Sequence, residues 1–422
     1  MLQFYLIADL HYFENSLGAE GEAYEARSLT DQKCIAETGA IIDSAFAQIA
    51  ADTDTNIILI AGDMTFNGEA ESHKSVIKKL EALRAGGKQI YMITGNHDGS
   101  HEAYAFSGSR RFPVEETGRE NLWDMYYEYG IKEAIAADRG RQCYVAQLGE
   151  GVRLLGINYN LGKDNSGFED AMDWVLTQIA DAKASGNLLF GMMHVPLLPG
   201  SPILAQVGDT AIQGWRGIAE RLADAGMPLI FTGHMHMQSV NNLKTPGGHF
   251  IYDICTGALA GGPCAIRKIS IDENWTMRMT TSTVADFDWD KHGMTADEYF
   301  IWRFNRKIAY EISKRKLVTR IARNITLRGL NNRNALDFAI ELVRNIFYGD
   351  QPYTRGTPEH AYAMRLLGRL KPIVWIAEKK LSPGNEIFGD IPALAALLMG
   401  KELKIDYNAV IDLKTGVAEE LV

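Results

Sequence analysis

The stretch Asn56-Ile57-Ile58-Leu59-Ile60-Ala61-Gly62-Asp63-Met64-Thr65-Phe66-Asn67-Gly68-Glu69 decides the fold. The run from Asn56 to Ala61 reads as a strand, and Gly62-Asp63 turns out of it toward a helix-like stretch from Glu69 to Ala85 that stops at Gly86-Gly87. Asn67 and Gly68 serve the turn into that helix. A second run, Gln89 to Thr94, ends in the same manner at Gly95-Asn96-His97-Asp98. Short apolar runs alternating with amphipathic stretches form the pattern of an α/β domain.

The pattern extends outward from there. Gln3 to Ala8, Gln142 to Gln147, Val152 to Asn158, Leu188 to Met193 and Pro228 to Thr232 read as further strands, and Asp31 to Ala51 as a helix capped by Thr30. Later β runs, Phe250 to Ile254, Cys264 to Ile271 and Thr276 to Thr283, predict antiparallel strands closing a second sheet. After Val284 the texture changes, through Asp286-Phe287-Asp288-Trp289-Asp290 into a helical tract that starts near Thr295. Its periodic apolar positions, Phe300, Phe304, Ile308, Ile312 and Leu317, continue to about Tyr348. A Gly/Pro-punctuated section and a last helix from about Pro392 to Met399 follow. A chain of 422 residues, 46% of them hydrophobic, buries a large core and divides into two units. We place the boundary near residue 285, with an α/β domain over 1–285 and a mainly helical extension over 286–422.

Charge divides along the same line. The net charge is −10; residues 1–285 carry 22 Lys and Arg against 35 Asp and Glu, and residues 286–422 carry 21 against 18. Affinity for long nucleic acid comes mostly from neutralising phosphates, so an acidic first unit argues against a processive nuclease and allows a small substrate. Cys34, Cys143, Cys255 and Cys264 are scattered without a CxxC pair and read as buried apolar residues in a reducing compartment. The opening MLQFYLIADLHY has neither a basic leader nor a cleavage site, and no segment reads as spanning a membrane. The cytoplasm is the expected location, with no membrane partner.

Five short motifs follow the strands in order: Asp9-Leu10-His11, Gly62-Asp63, Gly95-Asn96-His97-Asp98, His194-Val195-Pro196 and Gly233-His234-Met235-His236. In an open α/β sheet, ligands bind outside the carboxyl ends of the strands, so five such loops converge on one site. Half of the ten histidines fall inside these motifs. Carboxylate, imidazole and amide oxygen without thiolate select Mn, Fe or Zn, and the mixed shell argues against a pure Mg or Ca site. Two such ions about 3.5 to 4 Å apart can clamp a phosphate and deprotonate the water between them.

The ordered set DxH, GD, GNHD, HxP and GHxH resembles the calcineurin-like metallophosphoesterase superfamily over roughly residues 1–285. The resemblance implies a four-layer α/β/β/α sandwich, with the mainly helical C-terminal extension outside it. It implies that Asp9, His11 and His236 bind one metal, that Asn96, His194 and His234 bind the other, and that Asp63 bridges them. It places His97 beyond the metals, donating to a phosphate oxygen or a departing alkoxide, with Asp98 fixing its tautomer. The implied reaction is in-line attack on phosphorus by a metal-bridging hydroxide. The run Gly62 to Glu69, with Ser72 and His73, resembles class III cyclic-nucleotide phosphodiesterases, as does Asp9-Leu10-His11-Tyr12. Thr94 stands where the protein Ser/Thr phosphatase branch has Arg, and Val195 where many relatives have a second His. The substrate expected is a small phosphodiester, a cyclic nucleotide among the candidates. A phosphomonoesterase or nucleotidase, and a silent binding protein that kept the fold, are the alternatives.

Other features take plainer readings. His73, His101, His249, His292 and His360 are ordinary surface or core histidines, and Thr256 to Pro263 is a Gly-rich turn near the cleft. The basic tract from Arg303 to Arg333, with an apolar stripe running through it, reads as a helix docked on the acidic unit, forming one wall of the cleft or a homo-oligomer contact.

Overall fold

The structure is a computed structural model that describes residues 1–99, 102–158, 167–200, 210–314, 319–320, 323–328, 332–349, 357–358, 361–362, 365 and 403–421. In chain order it contains β1 (Leu2–Ile7), α1 (Glu22–Thr30), α2 (Thr38–Ala51), β2 (Ile57–Ala61), α3 (Ala70–Ala85) and β3 (Gln89–Ile93). A hairpin of β4 (Tyr104–Ser107) and β5 (Arg110–Pro113) leads through α4 (Arg119–Met125) to β6 (Ala134–Asp138), β7 (Cys143–Gly149) and β8 (Val152–Ile157). Next come α5 (Gly167–Ala184), β9 (Leu188–Met193), α6 (Trp215–Ala225), β10 (Leu229–Thr232), β11 (Ser239–Lys244), β12 (Phe250–Cys255), β13 (Ala265–Ile271) and β14 (Thr276–Thr283). The remainder is α7 (Ala296–Ser313), a small hairpin of β15 (Thr326–Leu327) and β16 (Arg333–Asn334), α8 (Ala335–Tyr348), β17 (Ala409–Asp412) and β18 (Ala418–Glu420).

Two seven-stranded sheets face each other, in the orders β18-β17-β14-β13-β1-β2-β3 and β11-β12-β10-β9-β8-β7-β6. Side-chain alternation in β1 to β3 explains the layering. Phe4, Leu6, Leu59, Tyr91 and Ile93 point to the inter-sheet core, where they meet Phe190 and Phe231 of the second sheet. Their neighbours Tyr5, Ile7, Ile58, Ile60, Ile90 and Met92 point the other way, onto α2, α3 and α7. The outer face of the second sheet is covered by α5 and α6. The result is the expected α/β/β/α sandwich.

Four sequence expectations need correction. The late β runs do not close one second sheet. β12 lies parallel to β10 in the second sheet, whereas β13 lies antiparallel to β1 in the first and carries β14 with it. Residues Asp31 to Ala51 are not one helix, since Thr30 is the last residue of α1 and Asp31 takes an extended backbone. The Asp31 carboxylate accepts from the Lys33 backbone N–H and pairs with Arg27, stabilising a loop from 31 to 37 in place of a helical turn. The tract from Thr295 to Tyr348 is not one continuous helix, since α7 ends at Ser313 and α8 begins at Ala335. The first is closed by a Thr295–Glu298 capping box, and the β15–β16 hairpin comes between them. Last, the mainly helical extension does not lie wholly outside the sandwich, because β17 pairs antiparallel with β14 of the first sheet and β18 pairs with β17. Pro392 to Met399 lies outside the described residues.

Among the described residues, the extension holds to the first unit at several places. Tyr299 and Phe300 of α7 are buried in the layer over the first sheet, and the Tyr299 hydroxyl donates to Glu37 at 2.6 Å. Arg303 reaches Ser28 at 2.8 Å and Glu37 at 3.4 Å. Near the chain's end, Ile405, Ala409, Ile411 and Leu413 enter the inter-sheet core beside Met277 and Met279. The fully buried Arg267 of β13 donates to the Asp406 carbonyl at 2.8 Å and to the Cys255 carbonyl at 2.9 Å, tying that segment to the end of β12. No helix among the described residues is long and apolar enough to cross a membrane.

Ile411 is fully buried in that core. Ile411→Ala should therefore lower unfolding stability by about 2 to 5 kcal/mol, the range for a deleted core aliphatic. Denaturant titration is the check. An unchanged midpoint would mean that the C-terminal strands add nothing to the sheet.

Candidate metal centre and its surroundings

The five motifs begin where β1, β2, β3, β9 and β10 end, so the seven expected ligands gather at one rim of the two sheets. Turning each side chain inward within a residue or two of a strand end requires an unusual backbone. Asp9, His11, Asp63, His234 and His236 all adopt left-handed conformations, with φ of 53°, 41°, 55°, 65° and 54°. Each such residue costs on the order of 1 kcal/mol, so five together indicate that position here outweighs local preference.

The motif glycines make room for this crowding. A Cβ on Gly62 would lie 2.5 Å from His194 Nδ1, one on Gly95 would lie 2.1 Å from Asp63 Oδ1, and one on Gly233 would lie 2.5 Å from Asp9 Oδ2. Gly62 also has φ +91°. These glycines belong to the motifs because the neighbouring donors occupy the space a side chain would need.

Within the rim the donors fall into two groups. Ligand atoms of Asp9, His11, Asp63 and His236 all lie within 4.8 Å of one another. His11 Nε2 is 2.9 Å from His236 Nε2 and 3.4 Å from Asp63 Oδ2, and His236 Nε2 is 3.4 Å from Asp9 Oδ1. On the other side, His194 Nε2 is 3.1 Å from Asp63 Oδ2 and 3.1 Å from Asn96 Oδ1, and His234 Nδ1 is 2.9 Å from Asn96 Oδ1. Asp63 Oδ2 is the atom common to both groups. Its partner oxygen, Oδ1, accepts the His97 backbone N–H at 2.8 Å, which fixes the carboxylate's rotation.

The donor chemistry fits cations. His194 Nδ1 faces the Ala61 carbonyl at 2.8 Å and His11 Nδ1 faces the Thr65 carbonyl at 3.3 Å. A carbonyl only accepts, so these nitrogens carry the protons and the Nε2 lone pairs point into the cluster, against carboxylate and amide oxygens. Lone pairs meeting lone pairs at 3 Å are compatible only with positive charge among them. Burial works against a charged His194, yet Asp63, a hydrogen bond to it and Asp9 hold the ring up to about 9. Burial likewise opposes ionisation of Asp63, and the charges of His194, His97 and His11 outweigh it and keep that carboxyl well below the usual range. The buried pocket thus favours cations.

The structure departs from the expected roles at His97 and Asp98. Asp98 does not hold the His97 ring. Its Oδ1 accepts the Thr65 N–H at 2.9 Å and the Thr65 hydroxyl at 3.3 Å, and its Oδ2 accepts the Gly95 N–H at 2.8 Å. Asp98 is fully buried under the loop and braces the β2 and β3 turns against each other. Burial and the nearby Asp63 charge push its carboxyl up to about 7. The His97 ring is held by Asn67 instead, whose Oδ1 is 2.9 Å from His97 Nδ1. That assigns the proton to Nδ1 and leaves Nε2 as an acceptor, facing Lys33 Nζ at 3.4 Å. Burial, then the charge of Lys33, lower His97 to about 4, so the ring is neutral near pH 7.

Sequence reading missed Lys33 and Gln32, because it placed both in a helix. Gln32 donates to the His236 carbonyl at 3.3 Å, and Lys33 Nζ stands 3.4 Å from His97 Nε2. The available signal was Arg27 four residues before Asp31, an ion pair that closes α1 at the following loop. His73 is a core histidine as expected, buried between the Tyr126 hydroxyl and the Asp98 carbonyl. His101 and His360 lie outside the described residues.

A fold of two packed sheets with carboxylates and imidazoles buried at their rim defines a metal-dependent hydrolase. The sequence profile of the calcineurin-like phosphoesterases matches residues 2–238, and the chain belongs to that family. It is therefore a hydrolase acting on phosphate esters, with a site suited to a dimetal centre. Solved structures with a similar fold include a dimetal phosphatase from Danio rerio (12% identity, TM-score 0.48, covering 68% of this chain and 97% of that one). A purple acid phosphatase from yellow lupin, Lupinus luteus, is similar at 12% identity and TM-score 0.46, over 70% of this chain and 52% of the lupin protein, about half its length. A 5'-nucleotidase assigned to Staphylococcus aureus is similar at 14% identity and TM-score 0.40, over 72% of this chain and 58% of that one. No curated protein matches the sequence.

Asp63→Ala removes the shared oxygen, and Gly95→Ala pushes a methyl onto the same carboxylate. Both variants should lose the rise in melting temperature that Mn gives the wild type, which at a hundredfold excess over Kd corresponds to about 2.7 kcal/mol. Metal analysis after gel filtration and a melting scan would measure it. A full Mn-dependent shift in either variant contradicts the placement of Asp63 between the two groups.

Proposed function

We propose that the protein hydrolyses a small phosphate ester at two first-row metal ions, Mn or Fe before Zn. Asp9, His11 and His236 would hold one ion, Asn96, His194 and His234 the other, and Asp63 both. Bound there, the ions supply Lewis acidity to the phosphoryl oxygens and acidify water. The observation that carries the reading is the shared position of Asp63 Oδ2 between the two donor groups, with His97 beside them at the partly exposed edge.

The chain's own residues supply position and proton handling. Asn67 orients His97 so that its Nε2 edge faces Lys33. Asp98 keeps the Gly95 and Thr65 backbones in register, so its contribution is to position rather than to touch substrate. In the reaction a water oxygen bonds to phosphorus and the ester P–O bond breaks. Its electron pair leaves with the alcohol oxygen, and the proton that the water gives up passes to that oxygen, with the unprotonated His97 Nε2 as its carrier.

Two substrate classes fit. Small phosphodiesters, cyclic nucleotides among them, are supported by the likeness of Gly62 to Glu69 to class III phosphodiesterases. Phosphomonoesters, nucleotides included, are supported by the ammonium of Lys33 beside His97. We further propose that residues 1–285 form the catalytic unit and that 286–422 complete its wall. Under this reading the protein works in the cytoplasm on a small substrate, without long nucleic acid, and the extension offers a surface for a homo-oligomer. The acidic first unit supports the exclusion of nucleic acid.

Metal analysis combined with a screen of p-nitrophenyl phosphate, bis-p-nitrophenyl phosphate and cyclic nucleotides tests the reaction. Within it, His97→Ala should keep its full metal content while turnover falls by about 10² to 10⁴-fold, the usual contribution of a positioned acid–base group. Metal loss in His97→Ala equal to that in Asp63→Ala would make His97 a ligand and overturn its assignment.

A further inference from the structure

Lys33 is a cation in an improbable place. Only 5% of its surface is exposed, and its ammonium sits over the Phe66 ring at 5.1 Å and beside His97 Nε2 at 3.4 Å. Burying an ammonium is expensive unless its charge is used or matched. The fold goes to some length to hold it there. Asp31 caps the Lys33 backbone at 3.0 Å while pairing with Arg27 at 2.6 Å. The Cys34 N–H donates to the Ala260 carbonyl at 2.7 Å, and Gln32 is tied to His236. Glu37, at the loop's far end, is gripped by Tyr299 and Arg303 of α7. The ammonium is thus fixed from both units of the chain.

A structural role as counter-charge to Asp9 and Asp63 does not account for it. Two divalent ions, when bound, would exceed the charge of those two carboxylates, and Asp31, the nearest acid to act on Lys33, is shared with Arg27 at 2.6 Å. Lys33 then adds positive charge to a cluster that has an excess, and such an arrangement is relieved only by an anion. The ammonium adjoins His97 at the partly exposed edge, where the ester must enter.

We propose that Lys33 binds a non-bridging oxygen of the substrate phosphoryl group, and that this fixed third cation gives the site a preference for phosphomonoester dianions over diester monoanions. This rests on the reading of the site as a dimetal phosphoesterase and selects between its two substrate classes. A monoester presents a further anionic oxygen that a diester has replaced with an ester link, and a charge-assisted hydrogen bond to the ammonium uses it.

The test is Lys33→Met in the full-length chain, which keeps the stem over Phe66 and removes the charge, with Lys33→Gln as a second neutral variant. With Mn loaded and metal content measured, calorimetric titration with inorganic phosphate reads the contact without turnover. The affinity should fall about 10- to 100-fold with both metals retained, as expected for losing one hydrogen bond to a charged group. The kcat/KM ratio of p-nitrophenyl phosphate to bis-p-nitrophenyl phosphate should fall about tenfold or more. Unchanged phosphate affinity in a variant with full metal content overturns the proposal, even if the wild type proves to be a phosphoesterase. On the wild type itself, phenylphosphonate should inhibit more strongly than its monomethyl ester. Equal inhibition by dianion and monoanion would overturn the proposal whether or not the variants fold. A wild type that hydrolyses no phosphate ester would defeat the broader reading, while the phosphate titration still decides the role of Lys33.

Discussion

Everything at the rim of this molecule answers to the burial of carboxylates. Asp9, Asp63 and Asp98 are at most 1% exposed, in the interior between two sheets. An ionised carboxylate there is tolerable only when surrounded by donors and cations. The fold meets that demand with backbone N–H groups from the motif turns, imidazoles from four strand ends, and glycines that let the turns close. The His234 N–H donates to both Asp9 oxygens, at 3.1 and 3.0 Å, the His97 N–H to Asp63, and the Gly95 and Thr65 N–H groups to Asp98. Each acid is thus held by the backbone of a neighbouring motif. This explains why the motifs form an interlocked set: the loop that supplies one ligand orients the next.

Much of this was legible in the sequence, for identifiable reasons. Strands buried on both faces, such as Ile57 to Ala61, are short, apolar and bounded by turn residues, so their positions and their exits were plain. The seven expected ligands lie where the strand ends put them. What escaped the reading depended on partners distant in sequence. Asp98 follows His97 directly and looks like its natural partner, yet the ring turns to Asn67, thirty positions earlier in the chain. β13 had no sequence signal for joining β1 rather than β12. It pairs antiparallel with β1, while its Arg267 reaches across to the Cys255 carbonyl at the end of β12. The loop from 31 to 37 was taken for helix because its residues are not turn formers, and an ion pair with a capped backbone outweighed their propensity.

The extension belongs to the same logic. Its basic helix lies against an acidic unit, but its hold comes from buried contacts. Tyr299 and Phe300 are buried in the layer that α2 and the first sheet line, and Phe287 of the extension itself stacks on Phe300 at 5.2 Å. Surface charge pairs contribute little at physiological salt. The contact through Glu37 links this packing to the loop that carries Lys33, so a residue of the extension and a residue at the rim share one support. At the far end of α8 the Phe347 carbonyl accepts the Gln238 N–H at 2.9 Å, two residues after His236.

The pairing of β17 with β14 has a consequence for how the chain is made. Met279 waits for Ala409, its partner across the ladder, while 129 intervening residues are synthesised. At ordinary ribosomal speeds that takes on the order of 10 seconds or more, a long time compared with most folding steps. Until then β14 is a bare edge whose Met277 and Met279 have no cover from Ile411, and unpaired edges of this kind recruit other chains. Vectorial synthesis therefore leaves the first sheet unsealed on the side away from the metal rim. The nascent protein thus has all five ligand-bearing strands synthesised before it has finished its own border.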